Sequence, residues 1–591
     1  MIHVRVVSKA SKVRLAIKVG LFGTLALQYL IFVGIIETFH DRYLIKDIIT
    51  IGETIMLLVF AGTGYLAVWA LMKALNPVQE EDVAPVRRYW AVGSGALSGL
   101  VVGASVALLV YVNSVIELRS VFVSISPALI EIVTFGRGNT PAGLVAPAAL
   151  STILGTIGGT LYVTRADVRR TVVLTVFWVT SAALISDLLR VSLSRPGFPK
   201  FLSRAFTASN GLTVLGAVTV VALVVAWTVY GPRIQSRRAA RIVNRSEKAR
   251  RNAKYRQWAL TFLLLLTLPA IVGVFPSEVL NNIGLYIIMG FGLNIVVGMA
   301  GLLDLGYVAF FAVGAYSMAV LTTAQPDIGG LGLSFWAALP LVIIITGFAG
   351  LLVGAPVLRM RGDYLAIVTL GFGEIARFLA LSDWLAPFIG GAQGIIHIPK
   401  VTIGALVLRG PQLLYYLFLL AGGAALFISW RIKDSRTGRA WMAMREDERV
   451  ADSMGVNTVY YKLLAFGMGA MIASLSGALF VAKLGSVYPN SFSVLVSITA
   501  LSLLIVGGMG SLPGVIVGAV VLVGLPELLR EFGEYRLLLY GALLVTMMIL
   551  RPEGIIPSVE RARELHDEDR AQDQVFKLDE PTAAPANPSG D

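Results

Sequence analysis

The chain has 591 residues, 56 % of them apolar and 14 % charged, with a mean hydropathy of +0.77; soluble proteins carry roughly 25 % charged residues, so this chain cannot clothe a water-facing surface and lipid must solvate most of it. It has no cysteine, which excludes disulfides, thiol catalysis and thiolate metal sites, and its four histidines (His3, His40, His397, His566) are too scattered to hold a metal together. The net charge of +13 does not point to nucleic acid, because the cations gather in loops beside apolar segments, the positive-inside pattern of membrane proteins.

Apolar runs of about 20 residues recur without strand-like alternation. A lipid-solvated backbone must satisfy its own hydrogen bonds, so the expected fold is all-α and polytopic, with about 16 transmembrane helices. The first run, 16–36, follows a basic start (Arg5, Lys9, Lys12, Arg14, Lys18). It is too long for a signal-peptide core and no small-x-small site follows, so it reads as an uncleaved span with a cytoplasmic N-terminus. Runs at 52–72, 90–112, 142–163, 171–190 and 212–230 complete a six-span region, 1–230. Arg87, Arg88, Arg165, Arg169 and Arg170 mark inside loops; 113–141 and 191–211 read as outside, although Arg195, Lys200 and Arg204 run against the second. Segment 231–257 is dense in Arg and Lys, with Glu247 its sole acid. Such a block cannot enter a bilayer and is expected on the cytoplasmic side, against anionic lipid.

The second region, 258–558, carries about ten runs: 259–275, 283–300, 302–323, 335–357, 364–381, 413–430, 460–483, 494–509, 514–529 and 536–550. Counting crossings from the basic segment puts Arg359, Arg361, the 431–459 stretch and the C-terminus inside. The tail 559–591 is charged and then rich in Pro, Ala and Asn, and is expected to be disordered.

No phosphate loop, nucleophile elbow or H-E-x-x-H occurs, so no enzymatic activity and no cofactor is expected. A polar, helix-forming run, 436–455, separates two strongly apolar segments. On one helix Trp441, Met444, Ala451 and Met454 would share a face, with Arg445, Glu446, Asp447, Arg449 and Asp452 on the rest. That stripe suits the groove of another protein; a solvated connector has the same periodicity. Two glycine-rich blocks, 298–306 and 507–518, mark helices that pack closely or break. Ionisable residues within or beside spans are Glu53, Asp187, Arg190, Asp304, Glu374 and Arg377. A charge at the bilayer centre costs about 2.5–3.5 kcal/mol on insertion scales, so Asp304 and Glu374 are expected to face a cavity. Glu374 and Arg377 can pair along one helix face, as a structural pair or as a substrate contact.

Four stretches, in order, carry a resemblance: GLNIVVGMAGLLDLGYVAFFAVGAY (292–316), LRMRGDYLAIVTLGFGEIAR (358–377), SRTGRAWMAMREDERVADSMGVN (435–457) and GGMGSLPGVIVGA (507–519), closed by RPEGIIP (551–557). With them, 258–558 resembles the LivM-type permease of branched-chain amino acid ABC importers. The resemblance implies a transport subunit in the cell membrane, with both termini cytoplasmic. Its partners would be a LivH-like sister permease, two ATP-binding cassette subunits, an extracytoplasmic substrate-binding protein and membrane lipid, with no nucleic acid.

It also makes the polar run the ATPase-coupling region, comprising Gly438, Arg439, Trp441, Met444, Arg445, Glu448, Ala451, Met454 and Gly455. Trp441 and Met444 are then expected to meet the ATPase. Pathway or packing positions would be Asn294, Gly301, Asp304, Gly306, Tyr307, Glu374, Gly507, Gly508, Gly510 and Gly514. Urea and short-amide permeases resemble the same blocks but tend toward Ser-Leu-Gly-His where this chain has Asp304–Tyr307, which tilts the substrate class toward amino acids. A carrier driven by an ion gradient, with Asp304 and Glu374 moving ions, is the other reading. Region 1–230 lacks the second region's glycine blocks and reads as a scaffold or interaction module.

Overall fold

A computed structural model describes residues 9–74, 84–116, 118–122, 124–187, 190, 200–243, 247–325, 330–357, 360, 362–528, 535–551 and 553–557. Arg5, Arg195, Arg359, Arg361 and the 559–591 tail lie outside the described residues. The chain forms two compact units, 1–255 and 256–591.

The first unit has helices α1 (Lys9–Phe32), α2 (Ile51–Ala74), α3 (Ala84–Val115), α4 (Pro141–Val163), α5 (Ala166–Leu184) and α6 (Val214–Val243). α2 starts with a capping box: Thr50 N–H donates to Glu53 Oε2 at 2.9 Å and Glu53 N–H to Thr50 Oγ1 at 3.2 Å. Glu53 is thus a helix-starting residue. α2, α3 and α4 meet through glycines. A Cβ at Gly64 would stand 1.9 Å from the Gly155 carbonyl oxygen, and one at Gly99 2.2 Å from that of Ser151. Gly95, Gly99 and Gly103 recur every fourth residue, and so do Ser151, Gly155 and Gly159. Each set forms one smooth stripe on its helix, the small-residue geometry of membrane helix pairs. An apolar cluster including Leu27, Phe60, Val106 and Leu129 fills the space beside this contact.

Loops at one end of the unit pair as a sheet that the periodicity does not foresee. β1 (Tyr43–Ile45), β2 (Ile49–Thr50), β3 (Thr207–Ala208) and β4 (Gly211–Leu212) lie in the order β2-β1-β4-β3, and β1 runs parallel to β4 through Ile45 and Leu212. Asp187 pairs with Arg42 at 3.7 Å beside it.

In the second unit α7 (Glu247–Val272), which spans the division between units, leads into α8 (Val274–Leu293). α8 widens into a π-helical turn, Asn294–Met299, where Ala300 N–H reaches back to the Ile295 carbonyl. Non-helical backbone then leads to α9 (Val308–Thr322). α10 (Phe335–Val357), α11 (Asp363–Leu381) and α12 (Pro411–Lys433) follow. The polar run comes next as α13 (Arg436–Glu446) and α14 (Glu448–Ser453). α15 (Thr458–Leu484), α16 (Val494–Gly507), α17 (Leu512–Ala519) and α18 (Tyr535–Leu550) complete the unit. The span Val274–Met299 is 78 % buried and Thr458–Leu484 72 %, so these two form the axis around which the other helices pack.

Among the described residues twelve helices are long and apolar enough to cross a membrane, and three shorter apolar helices accompany them. The all-α polytopic expectation holds; the twelve do not by themselves reach the expected count of about 16. The expected span 302–323 contracts to the 15 residues of α9, because Gly301 to Gly306 run as non-helical backbone. The expected span 514–529 is divided by a second π-turn at Val520–Gly524. α5 lies over the expected span 171–190 but carries Asp167, Arg169 and Arg170, and is not among the twelve.

Candidate functional site

The polar run folds as two short helices where one long helix was expected. Asp447 separates them: it is extended (φ −152°, ψ 113°) and its Oδ1 accepts from Arg449 N–H at 2.8 Å and Val450 N–H at 3.1 Å. An aspartate at this position caps the helix that follows and cannot itself continue the helix before it. The first helix is capped likewise, Gly438 N–H donating to Ser435 Oγ at 3.2 Å. Gly438 is obligatory there, since a Cβ would stand 2.4 Å from the Ile432 carbonyl oxygen. Gly455 closes the second helix at φ +87°, a left-handed position suited to glycine.

The apolar stripe does not point outward as expected. Trp441 is 0 % exposed and Met444 and Ala451 are buried, all within the unit's own core. Trp441 Nε1–H donates to the Tyr461 carbonyl at 2.8 Å. A buried indole must find such a partner, and this one fixes α13 to the first turn of α15. Glu448 also faces inward, accepting from the buried Lys462 Nζ at 2.7 Å. Only Met454 of the four stripe residues is open, at 80 %, joined by Val450. Arg439, Glu446 and Arg449 share the outward surface. Trp441, Met444 and Ala451 stay together on the buried side across the break at Asp447, and only Met454 leaves the stripe.

Arg445 points the other way, into the unit. Its Nη1–H donates to the Gly298 carbonyl at 2.9 Å, at the end of the π-turn. Gly301, at φ +72°, lies directly against it: a Cβ would stand 2.6 Å from Arg445 Cγ. Asn294, buried at the start of the π-turn, accepts through Oδ1 from Gly510 N–H at 2.9 Å. Lys433, in the last turn of α12, donates to the Gly510 carbonyl at 3.3 Å. Both glycine-rich blocks and the polar helix are therefore joined through four side chains and backbone groups: Asn294, Arg445, Lys433 and Gly510. Lys433 carries no motif, and only the folded contact reveals its part.

The second glycine block makes the turn between α16 and α17. Gly508 (φ +115°) and Gly510 (φ +77°) hold left-handed backbone. Gly507 and Gly514 lie backbone to backbone, a Cβ on Gly507 standing 2.0 Å from the Gly514 carbonyl oxygen. The RPEGIIP segment closes over this turn, Ile555 and Ile556 N–H donating to the Val506 and Gly507 carbonyls at 2.8 and 2.9 Å.

Asp304 is buried, and its Oδ1 accepts from Gly306 N–H at 2.9 Å, a local turn leading into α9. Gly306 touches α11, where a Cβ would stand 1.8 Å from the Thr369 carbonyl oxygen. Tyr307 is buried and its hydroxyl donates to the Gly469 carbonyl of α15 at 2.7 Å. Glu374 stands apart from this cluster, paired with Arg377 at 2.8 Å. A largely apolar cavity of ≈ 480 Å³, bounded by Phe310, Tyr316, Phe372 and Leu379 among others, lies between α9, α10 and α11.

The second unit is a bundle of membrane-length helices in which a capped polar helix pair grips two broken-helix turns, and its relatives are transport permeases. The family model described as "Branched-chain amino acid transport system / permease component" matches residues 275–550. The LivM high-affinity branched-chain amino acid transport permease of Salmonella typhimurium is 44 % identical over 296 residues, which cover 46 % of this chain and 68 % of the relative. BraD of Pseudomonas aeruginosa is 26 % identical, covering 47 % of this chain and 93 % of the relative. LivH of Salmonella typhimurium is 24 % identical, covering 49 % and 97 %. No solved structure matches the chain. The chain belongs to the LivM-type branched-chain amino acid ABC transporter permeases, a family of multi-pass membrane transport subunits.

Proposed function

We propose that this chain forms, with a LivH-like sister permease, the path by which branched-chain amino acids enter the cell. An extracytoplasmic binding protein delivers the substrate, and two ATP-binding subunits dock on 436–455. Both termini face the cytoplasm, with the basic segment 231–257 against anionic lipid.

The observation that carries this reading is Arg445, which belongs to the polar helix yet hydrogen-bonds the Gly298 carbonyl at the end of the π-turn. A push on the outward surface of α13 and α14 is thereby delivered to the helix breaks at 294–306 and, through Asn294, at 507–511. ATP binding changes the permease only if the ATPase holds its two conformations with different affinity; a side chain bridging docking surface and helix break makes that difference structural. The docking residues in this reading are the outward ones, Arg439, Glu446, Arg449, Val450 and Met454. Trp441, Met444 and Glu448 hold the platform.

The test is gentle purification of the tagged chain from native membranes, followed by reconstitution. Two P-loop proteins and a second permease should accompany it, and leucine uptake should require ATP. Uptake that persists without ATP and collapses with the ion gradient defeats the proposal.

A further inference from the structure

The ion pair of α11 sits where lipid does not tolerate it. Arg377 donates to Glu374 Oε2 through Nε at 3.0 Å and Nη2 at 2.8 Å. Both residues lie inside the span Tyr364–Leu381. At a 1.5 Å rise per residue, Glu374 is about 16 Å from one end of α11 and about 10 Å from the other. Yet the side chains of Arg377 and Glu374 remain 23 % and 31 % exposed. Charged groups at such depth face protein or water.

Three observations say what lies beside the pair. Ile367, Gly371, Glu374 and Phe378 follow one another at spacings of four, three and four, which places them on one strip of the helix. Ile367 and Phe378 are exposed, and a Cβ built on Gly371 would meet nothing within 4 Å. The Arg377 guanidinium lies 4.7 Å from the centre of the Phe378 ring, which holds it at the edge of this strip. The packed side of α11 is elsewhere: Leu365, Ala366, Thr369 and Ala380 are buried, and Gly373 touches Gly306. α10 presents the contrast, its exposed face of Ile344, Phe348 and Leu352 carrying no charge, as a lipid-facing surface should.

The geometry points to this strip of α11 as a wall of the aqueous substrate path, in which the Arg377–Glu374 pair reads the zwitterionic head of an α-amino acid. Side chains three apart on a helix end about 5–6 Å from each other at their Cβ atoms, so the pair offers one cation and one anion side by side. An α-amino acid carries its carboxylate and ammonium on one carbon, and can lie across both. Arg377 then donates to the carboxylate and Glu374 accepts from the ammonium. Without substrate the two groups satisfy each other, so neither is left as an uncompensated charge. The site has no net charge, and on that ground favours a zwitterion over a simple amine or acid. This assignment rests on the importer reading above.

The chain has no cysteine, so each introduced thiol is the only one on this chain, and its labelling is read on this chain after the subunits are separated. Gly371→Cys, Ile367→Cys and, as the lipid-face control, Phe348→Cys are prepared in the complete complex in membrane vesicles. They are treated with a charged, water-soluble methanethiosulfonate reagent, without nucleotide and with ATP. The two strip thiols should react about tenfold faster than the control in at least one state, and leucine should slow them. Glu374→Gln and Arg377→Gln, separately, should raise KM for leucine about tenfold while ATP hydrolysis continues. Strip thiols as silent as the control in both states overturn the path assignment. Reactive thiols with unchanged KM in both neutral variants overturn the recognition role of the pair. Leucine uptake by the Phe348→Cys complex separates the levels: if it needs no ATP the importer reading itself fails, whereas ATP-dependent uptake with silent strip thiols defeats only this assignment.

Discussion

Glycine serves two ends in this chain, and the contrast is clearest between the helix stripe of the first unit and the helix breaks of the second. In the first, Gly64, Gly95, Gly99 and Gly155 lie within regular helices and remove side chains so that backbones touch. In the second, Gly301, Gly508 and Gly510 hold left-handed backbone and interrupt helices. One arrangement makes a bundle rigid; the other makes places where a helix can be bent by a neighbour. Arg445 and Asn294, from distant segments, hold the breaks in the second unit, whereas the first unit's stripe is met by small serines, Ser98 Oγ donating to the Gly95 carbonyl of its own helix at 3.0 Å. The lesson is that glycine content alone does not mark a moving part. What sets the breaks apart is a left-handed φ together with a distant side chain that grips them.

Variants at these positions can break that distinction. The largest effect is expected at Gly508→Val. It combines a left-handed φ of +115° with a Cβ only 2.5 Å from the Ile556 carbonyl oxygen. Strain of that kind costs about 1–3 kcal/mol before the clash is counted, so little monodisperse protein should be recovered in detergent. Gly155→Ile comes next. Its Cβ would stand 2.5 Å from the Gly95 carbonyl oxygen, forcing α3 and α4 apart. The first thermal transition should fall by several degrees, and uptake should suffer less than with Gly508→Val; equal loss of uptake would mean that the first unit is part of the transport machinery.

Arg445→Ala tests the grip itself. Losing a charged hydrogen bond to a buried carbonyl is worth about 1.5–3 kcal/mol, and the expected result is ATP hydrolysis retained with leucine uptake reduced about tenfold or more. Normal uptake per ATP would remove Arg445 from the coupling route. Met454→Asp, on an exposed residue, should reduce co-purification of the ATPase without lowering the thermal transition; Trp441→Asp should do the reverse, lowering yield first, because it places a charge in the core. The smallest effect belongs to Gly423→Ala on α12, where a Cβ meets nothing within 4 Å. Replacing a helical glycine that neither packs nor bends should be neutral or raise stability by about 0.5–1 kcal/mol. A large loss there would show that an unseen partner covers that face.

The sequence by itself determined the solvent and therefore the class. With 14 % charged residues and recurrent long apolar runs, only a helical membrane bundle satisfies the backbone, and the glycine blocks and polar run stood out because each violates that background. It also identified residues that belong together, such as Glu374 with Arg377, where the contact lies within one helix turn. Tertiary structure alone decided direction and partnership. Spacings of three and seven string Trp441, Met444, Ala451 and Met454 into one stripe, but the fold buries the first three and leaves Met454 exposed. Arg445 reads as one more surface cation until its carbonyl partner, 147 residues away, comes into view. The small sheet joining residues near 45 and 210 is invisible for the same reason. Contacts between distant segments depend on how helices pack, and a pattern with a period of a few residues carries no record of that.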